Sequence, residues 1–304
     1  MTRVPAAVAS FLLLFVPLFA TGIETDFSNG ETCFVKEADA DGPCAKPLRK
    51  QGPTPELVDS SNAPAPRCGA HALRFHLDYA PEGGRAVRSE ILLRPKDELR
   101  RAFPRTDRGD YAFSLYFPED YAADSEPEIV AQWHFWEDYL RPGVKMTGSP
   151  QASLEIARDT LFARLLHNGT PVDPDAPADE NGEVSYRPDK KELFNLGALP
   201  KGRWIDFRVQ ARWTPKPKGA VRLWMDDSLV VDYRGPTAYV QVLKGDPPPY
   251  FKVGVYKWPW KKPGLERRPG AVLGRTLFLD RLQVRAGWGG SDWGKGCPDG
   301  GKSP

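Results

Sequence analysis

In Tyr250-Phe251-Lys252-Val253-Gly254-Val255-Tyr256 the side chains separate into two sets. Successive residues of a β-strand point to opposite faces, so Phe251, Val253 and Val255 make one apolar face. Tyr250, Lys252, Gly254 and Tyr256 share the other. Two distant segments repeat this design. In Gln132-Trp133-His134-Phe135-Trp136, Trp133 and Phe135 oppose Gln132, His134 and Trp136. In Arg88-Ser89-Glu90-Ile91-Leu92-Leu93, Ile91 and Leu93 oppose Arg88 and Glu90. A solvated strand face needs only generic polar residues. These faces carry arginine, glutamine, histidine, lysine and tyrosine, a set suited to holding an anion and moving a proton in a groove.

Working outward, strand-like runs recur at short intervals: 71–77, 87–93, 111–117, 129–136, 153–156, 205–213, 221–225, 229–233, 251–256 and 277–284. Turn residues such as Asp226-Asp227 and Lys216-Pro217-Lys218-Gly219 separate them. Helical periodicity is nearly absent, with one turn expected at 97–102. The chain holds 31 prolines and 28 glycines, which suits many short strands joined by turns, and the fold expected is an all-β, two-sheet sandwich. Its core should take Phe113, Leu115, Ile129, Ile205, Phe207, Val209, Val221, Leu223, Phe251, Val253, Val255, Leu277 and Leu279. Residues 168–191 are polar and rich in proline and aspartate, and read as a long loop overhanging the groove.

Residues 1–22 read as a secretory signal: Arg3, an apolar run from Ala6 to Phe19, then Ala20-Thr21-Gly22 before Ile23. One domain is expected over 23–297, with a flexible tail over 298–304, in a protein that is secreted (extracellular or periplasmic) and has no membrane attachment once the signal is cleaved. Arg3 is the only charged residue of the leader, so 41 basic and 40 acidic groups remain. That balance gives no general grip on nucleic acid. A polyanion must be held by local charge, for which Arg88, Arg94, Lys252 and Lys257 are placed in or beside the motifs. Cys33, Cys44, Cys68 and Cys297 make an even count in an exported chain, so two disulfides are expected, with Cys33–Cys44 and Cys68–Cys297 favoured among three pairings.

Together, the R-S-E, Q-x-H and Y-F-K-x-G-x-Y segments resemble the jelly-roll polysaccharide lyases, the group that holds alginate lyases, glucuronan lyases and heparin lyase I. Gly202-Arg203-Trp204-Ile205-Asp206-Phe207 and Gly219-Ala220-Val221-Arg222-Leu223-Trp224-Met225-Asp226-Asp227 are similar to the heparin lyase I-like and glucuronan lyase branch. The resemblance implies a jelly roll whose concave sheet carries an open cleft, acting as a monomer on an anionic polysaccharide by β-elimination. A base removes the C5 proton, the C4–oxygen bond breaks, and a 4,5-unsaturated uronate end remains. Arg88 and Gln132 would neutralise the carboxylate and the enolate-like anion. The proton transfers fall to His134 and Tyr256, with the division of labour open. Lys252, Tyr250, Glu90, Arg94, Trp136 and Trp258 would bind substrate, Glu90 chiefly by orienting Arg88. The polymer expected is a β-1,4-linked uronan cut internally, glucuronan before alginate before heparin-type glycosaminoglycan.

No cofactor is expected for catalysis. Asp280 lies where related sandwiches often hold a structural calcium, and Asn168-Gly169-Thr170 matches a glycosylation sequon in an expected surface loop. His71, His76 and His167 have no supporting context and read as structural or exposed. Two other function classes compete. A non-catalytic carbohydrate-binding sandwich would need no pairing of His134 with Tyr256. A glycoside hydrolase would need two carboxylates, commonly E-x-D-x-x-E, whereas Glu90 is the one candidate on the groove faces.

Overall fold

The computed structural model describes residues 22–25, 46–47, 53–61, 64–80, 87–93, 107–134, 145–168, 177, 180, 182–239, 249–287 and 294–297. Its strands, in chain order, are β1 (Gly22–Thr25), β2 (Lys46–Pro47), β3 (Glu56–Asp59), β4 (His71–Asp78), β5 (Arg88–Leu93), β6 (Arg108–Tyr116), β7 (Asp124–His134), β8 (Lys145–Gly148) and β9 (Ala152–Arg158). They continue with β10 (Thr160–His167), β11 (Glu183–Tyr186), β12 (Lys190–Ala198), β13 (Trp204–Arg212), β14 (Ala220–Met225), β15 (Ser228–Arg234), β16 (Tyr250–Tyr256) and β17 (Gly274–Ala286). Two 3-10 turns, Trp258–Lys261 and Leu265–Arg267, complete the order.

The strands make two large antiparallel sheets. The back sheet runs β15-β14-β13-β6-β17-β4-β3, with β1 also on β17; the front sheet runs β12-β10-β9-β7-β16-β5-β2. Alternation explains their packing. Tyr111, Phe113 and Leu115 of β6, with Ile205, Phe207 and Val209 of β13, face Trp133 of β7 and Phe251, Val253 and Val255 of β16 in one buried cluster. Phe251 touches Phe113 and Tyr111 at ring-centroid distances of 5.3 and 5.4 Å, and Trp133 at 5.0 Å. A fully buried side chain of this size contributes about 1.5–3 kcal/mol. Every expected core residue is buried, but Ile129 stays outside the contiguous cluster. Bulges on β7 beside Ile129 give it Tyr256 and Glu155 as cross-strand partners.

Two backbone details follow from residue type. Asp226 and Asp227 form the two-residue turn between β14 and β15, both with positive φ (49° and 62°), as a hairpin turn of that length requires. At Gly254, φ is 136° and an added Cβ would lie 2.3 Å from Ser89 O and 2.8 Å from Phe75 Cδ1, so only glycine fits. This glycine marks the bulge where β16 shifts register against β7.

The sequence reading missed β10 and β12. Thr160-Leu-Phe-Ala-Arg-Leu-Leu-His167 lacks alternation and is rich in helix formers; it becomes a strand because a tight turn folds it back on β9, pairing Thr160 with Ala157. The expected loop at 168–191 is also corrected in part. Glu183–Tyr186 pairs in parallel with Lys145–Gly148, and β12 begins at Lys190. The helical turn expected at 97–102 lies outside the described residues. Cys68 is bonded to Cys297 as expected, while Cys33 and Cys44 lie outside the described residues. Ile23, the expected first residue after cleavage, falls inside β1 against Val284. No helix among the described residues is long and apolar enough to cross a membrane.

Candidate active site

The three motif strands are neighbours: β7, β16 and β5 lie side by side in the front sheet. Their apolar faces enter the core, so Arg88, Glu90, Gln132, His134, Tyr250 and Lys252 share the outer face. Register then sorts them. Tyr250 lies opposite His134, and Lys252 opposite Gln132. Gly254 lies opposite Glu90, and Tyr256 opposite Arg88.

Two groups result. In the first, the His134 and Tyr250 rings stack with centroids 5.2 Å apart and planes at 14°. Lys252 Nζ sits 5.1 Å from the Tyr250 ring centre. The Nε2–H of His134 donates to Gly148 O at 3.1 Å. A carbonyl only accepts, so the neutral imidazole carries its proton on Nε2 and has Nδ1 as its basic atom. In the second group, the Arg88 guanidinium lies 3.9 Å from the Tyr256 ring centre, and Trp258 meets that ring at 5.8 Å.

Glu90 joins the two. It receives the Gln132 amide N–H at 2.6 Å and faces Arg88 at 3.6 Å. Burial pushes its carboxyl above the ordinary range, opposed by the charges of Lys252 and Arg88 and by the Gln132 hydrogen bond. Exposure is only 1% at Glu90, 2% at Gln132, 6% at His134 and 8% at Lys252. The floor of the site is therefore a low-dielectric one, where charge interactions are strong.

The register places Tyr250, not Tyr256, opposite His134. Six residues separate Tyr256 from Tyr250 along β16, about 20 Å of extended chain. The tyrosine beside His134 is Tyr250. Arg88 lies opposite Tyr256 and reaches the Gln132 end through Glu90, whereas Lys252 lies opposite Gln132 itself. Lys257 is not a groove cation: it is fully buried, with Nζ 2.7 Å from Asp124 and 3.5 Å from Glu128. Arg275 completes that interior network, 2.8 Å from Glu128. Trp258 lies beside Tyr256, whereas Arg94 and Trp136 lie outside the described residues.

Asp280 is fully buried, and its carboxylate accepts the backbone N–H groups of Cys68 at 2.8 Å and Arg281 at 2.6 Å. Calcium takes six to eight oxygens. Both oxygens of Asp280 are engaged by backbone donors, and among the described residues no group of three or more His, Cys, Asp or Glu could hold a metal. Asp280 ties β17 to the segment carrying the disulfide. Asn168 is buried and accepts the Asp189 N–H at 2.8 Å, a poor position for a sequon acceptor. Of the remaining histidines, His76 bridges Thr276 and Asp78, and His167 meets Glu192. The sequence reading took Ser153–Ile156 as a strand without reading its faces. Ser153 lies opposite Gln132, extending the site's polar row to Arg164 of β10, which is bound to Glu155 at 2.7 Å.

A polysaccharide lyase family model matches residues 60–283, spanning all three motif strands. The chain belongs to the polysaccharide lyase family. Among solved structures it is similar to the endo-β-1,4-glucuronan lyase of the fungus Trichoderma reesei, at 17% identity over 77% of this chain and 87% of that one, with a TM-score of 0.53. It is also similar to the alginate lyase AlyC3, at 14% identity over 70% and 74% of the two chains and a TM-score of 0.41. A third likeness is to the alginate lyase AlgAT5, at 13% identity over 71% and 79% with a TM-score of 0.41. No curated protein matches the sequence. The lyase is a β-sandwich enzyme.

Proposed function

We propose that this polysaccharide lyase is a secreted, endo-acting enzyme that cleaves a β-1,4-linked uronan by β-elimination, with glucuronan as its polymer. The observation that carries the reading is the stacked His134–Tyr250 pair with Lys252 and Gln132 beside it. Nδ1 of His134 takes the C5 proton. The freed electron pair forms the C4–C5 double bond as the C4–oxygen bond breaks, and the departing oxygen takes the Tyr250 hydroxyl proton. His134 then returns a proton to Tyr250. Lys252 and the second amide N–H of Gln132 neutralise the substrate carboxylate and stabilise the anion that develops there.

The same-side placement bears on the sugar. In glucuronate and mannuronate the C5 hydrogen and the C4 oxygen lie on one side of the ring; in guluronate they lie on opposite sides. His134 and Tyr250 rise from one sheet face as neighbours, which suits one-sided elimination. The near-neutral net charge disfavours a heavily sulfated polymer. The Gly202–Phe207 and Gly219–Asp227 phrases, which pointed to the glucuronan branch, lie on and beside β13 and β14 of the back sheet. They support the fold more than the substrate.

The test is a panel of polyglucuronate, polymannuronate, polyguluronate and heparin, followed by the ultraviolet absorbance of the unsaturated product end. Product sizes separate internal from terminal cleavage. The expected result is rapid appearance of mixed oligomers from polyglucuronate. Preference for polyguluronate would overturn the one-sided mechanism.

A further inference from the structure

The polar row of the front sheet does not stop at Gln132. Strand pairing places Lys252 opposite Gln132, Gln132 opposite Ser153, Ser153 opposite Arg164 and Arg164 opposite Leu193. Leu154 of β9 and Leu165 of β10 enter the core, which turns Ser153 and Arg164 to the outer face, beside Gln132 and Lys252. This end of the face reaches solvent: Leu193 is half exposed, and the Arg164 side chain is 18% exposed.

Arg164 is held in one orientation there. Its Nε–H donates to Ser153 Oγ at 3.2 Å, its Nη2 lies 2.7 Å from Glu155 Oε1, and the Ser153 hydroxyl donates to the same carboxylate oxygen at 2.7 Å. These contacts use one edge of the guanidinium. The opposite edge, made by Nη1 and the second N–H of Nη2, meets no acceptor among the described residues. An arginine ordered by its neighbours loses little further freedom when it grips a ligand. Glu155 thus stands to Arg164 as Glu90 stands to Gln132, fixing a donor and leaving its remaining N–H groups for substrate.

We infer that Arg164 is a second carboxylate-binding residue, which takes the uronate about two sugars along the polymer from the one at Gln132. The inference rests on the lyase site proposed above. β9 separates β7 from β10, so two strand spacings, about 10 Å, lie between Gln132 and Arg164, close to the advance of about two sugars in an extended β-1,4 chain. Consecutive rings of such a chain face opposite ways. The second ring on therefore repeats the orientation of the first and turns its carboxylate to the same floor. Ser153, which is neutral, stands under the ring between, whose carboxylate points away. The two parallel N–H groups on the open edge of Arg164 match the two oxygens of that second carboxylate.

The experiment follows a ladder of glucuronate oligomers, from trimer to octamer, with wild type, Arg164→Gln and Arg164→Lys. A double variant, Arg164→Gln with Glu155→Gln, removes both charges together and carries the comparison if the single change leaves Glu155 unmatched and the protein unfolded. Cleavage is read by product absorbance, binding by calorimetric titration in a His134→Ala background, and folding by thermal melting. Wild-type kcat/KM should step up at the length that first reaches Arg164. In Arg164→Gln that step should shrink by about 10-fold, chiefly through KM, with the shorter oligomers cleaved as by wild type. Arg164→Lys should keep part of the step, since it retains the charge without the paired donors. Added salt should lower the step in wild type more than in Arg164→Gln. A wild-type length profile in folded Arg164→Gln or in the double variant would overturn the inference, and so would a loss of equal size at every length, the mark of a residue that only supports the sheet. Oligomers that bind with the length step but are not cleaved would overturn the lyase mechanism and leave Arg164 in its role. Oligomers that neither bind nor react would overturn both.

Discussion

Tyr250→Phe and Tyr256→Phe separate two accounts of this site that sequence alone makes equivalent. Each change deletes one hydroxyl and keeps a ring. In Tyr250→Phe the stack on His134 at 5.2 Å and the Lys252 contact at 5.1 Å both survive, so folding and polymer binding should stay close to wild type. In the proposed mechanism the lost atom is the proton donor to the departing oxygen. General acid or base catalysis contributes about 10²–10⁴-fold, and removing it raises the barrier by about 2.7–5.5 kcal/mol. That loss belongs in kcat, with KM little changed, because the interaction is made in the transition state. In Tyr256→Phe the Arg88 guanidinium still meets an aromatic face 3.9 Å away, and the residue changed lies opposite Ile129 of β7, not opposite His134. Its kcat should stay within about threefold of wild type, less than 1 kcal/mol in barrier. Steady-state kinetics on polyglucuronate, with circular dichroism to confirm folding, decides the matter. A large loss in Tyr256→Phe with near-normal turnover in Tyr250→Phe would refute the mechanism.

Lys252→Ala removes the cation beside the Tyr250 ring, so kcat/KM should fall by about 10²-fold, with KM rising as well as kcat falling; an unchanged kcat/KM would take the carboxylate contact away from Lys252. Joint replacement of Cys68 and Cys297 by serine should lower unfolding stability by about 2–5 kcal/mol, because the bond closes a loop with a sequence separation of 229; an unmoved urea midpoint contradicts this. Burial pushes Asp110 from 3.8 up to about 6, against the pull of Arg285 and Arg208. Between about pH 4 and 6 the folded state binds more protons there than the unfolded chain, so this group's contribution to stability falls as pH rises, by at most about 3 kcal/mol. Asp110→Asn should remove that slope, and urea titrations at pH 4.5 and 7 that show the same pH dependence in both proteins would rule it out.

The period-two faces of β5, β7 and β16 were legible because each strand pairs a core face of aromatic and β-branched residues with a polar face of unusual chemistry. The core followed for the same reason. What alternation cannot report is register between strands 100 residues apart. Tyr250 and Tyr256 share a face of one strand, so the pattern treats them alike. Only the register tells them apart: Tyr250 pairs with His134, while Tyr256, beyond the bulge at Gly254, pairs with Ile129. Lys257 misled for a related reason: composition beside a motif suggests a surface cation, but Asp124 and Glu128 of β7 draw it into the interior. β10 and β12 were hidden because their residues favour helix, and strand pairing overrode that preference. Arg164 went unread with them, since the outer face of this half of the sheet exists only once β10 is paired with β9.

Glu90 explains how the proposed uronate site comes to have an acid at its base. Lys252 and Arg88 approach the same buried region, and two cations there without a counter-charge would repel each other and resist burial. Glu90 shares β5 with Arg88, at 3.6 Å from it, and lies opposite Gly254, where the absence of a side chain on β16 admits close approach. Its carboxyl feels the charges of both Lys252 and Arg88, which oppose the upward push of burial. By accepting one amide N–H of Gln132, Glu90 also fixes which way that side chain points and leaves its second N–H for the substrate. The acid therefore acts through its neighbours, holding a donor set in place before the polymer arrives. Donors fixed in advance need no reorganisation when charge develops at the reacting carbon, and that is where a lyase of this kind gains most of its rate.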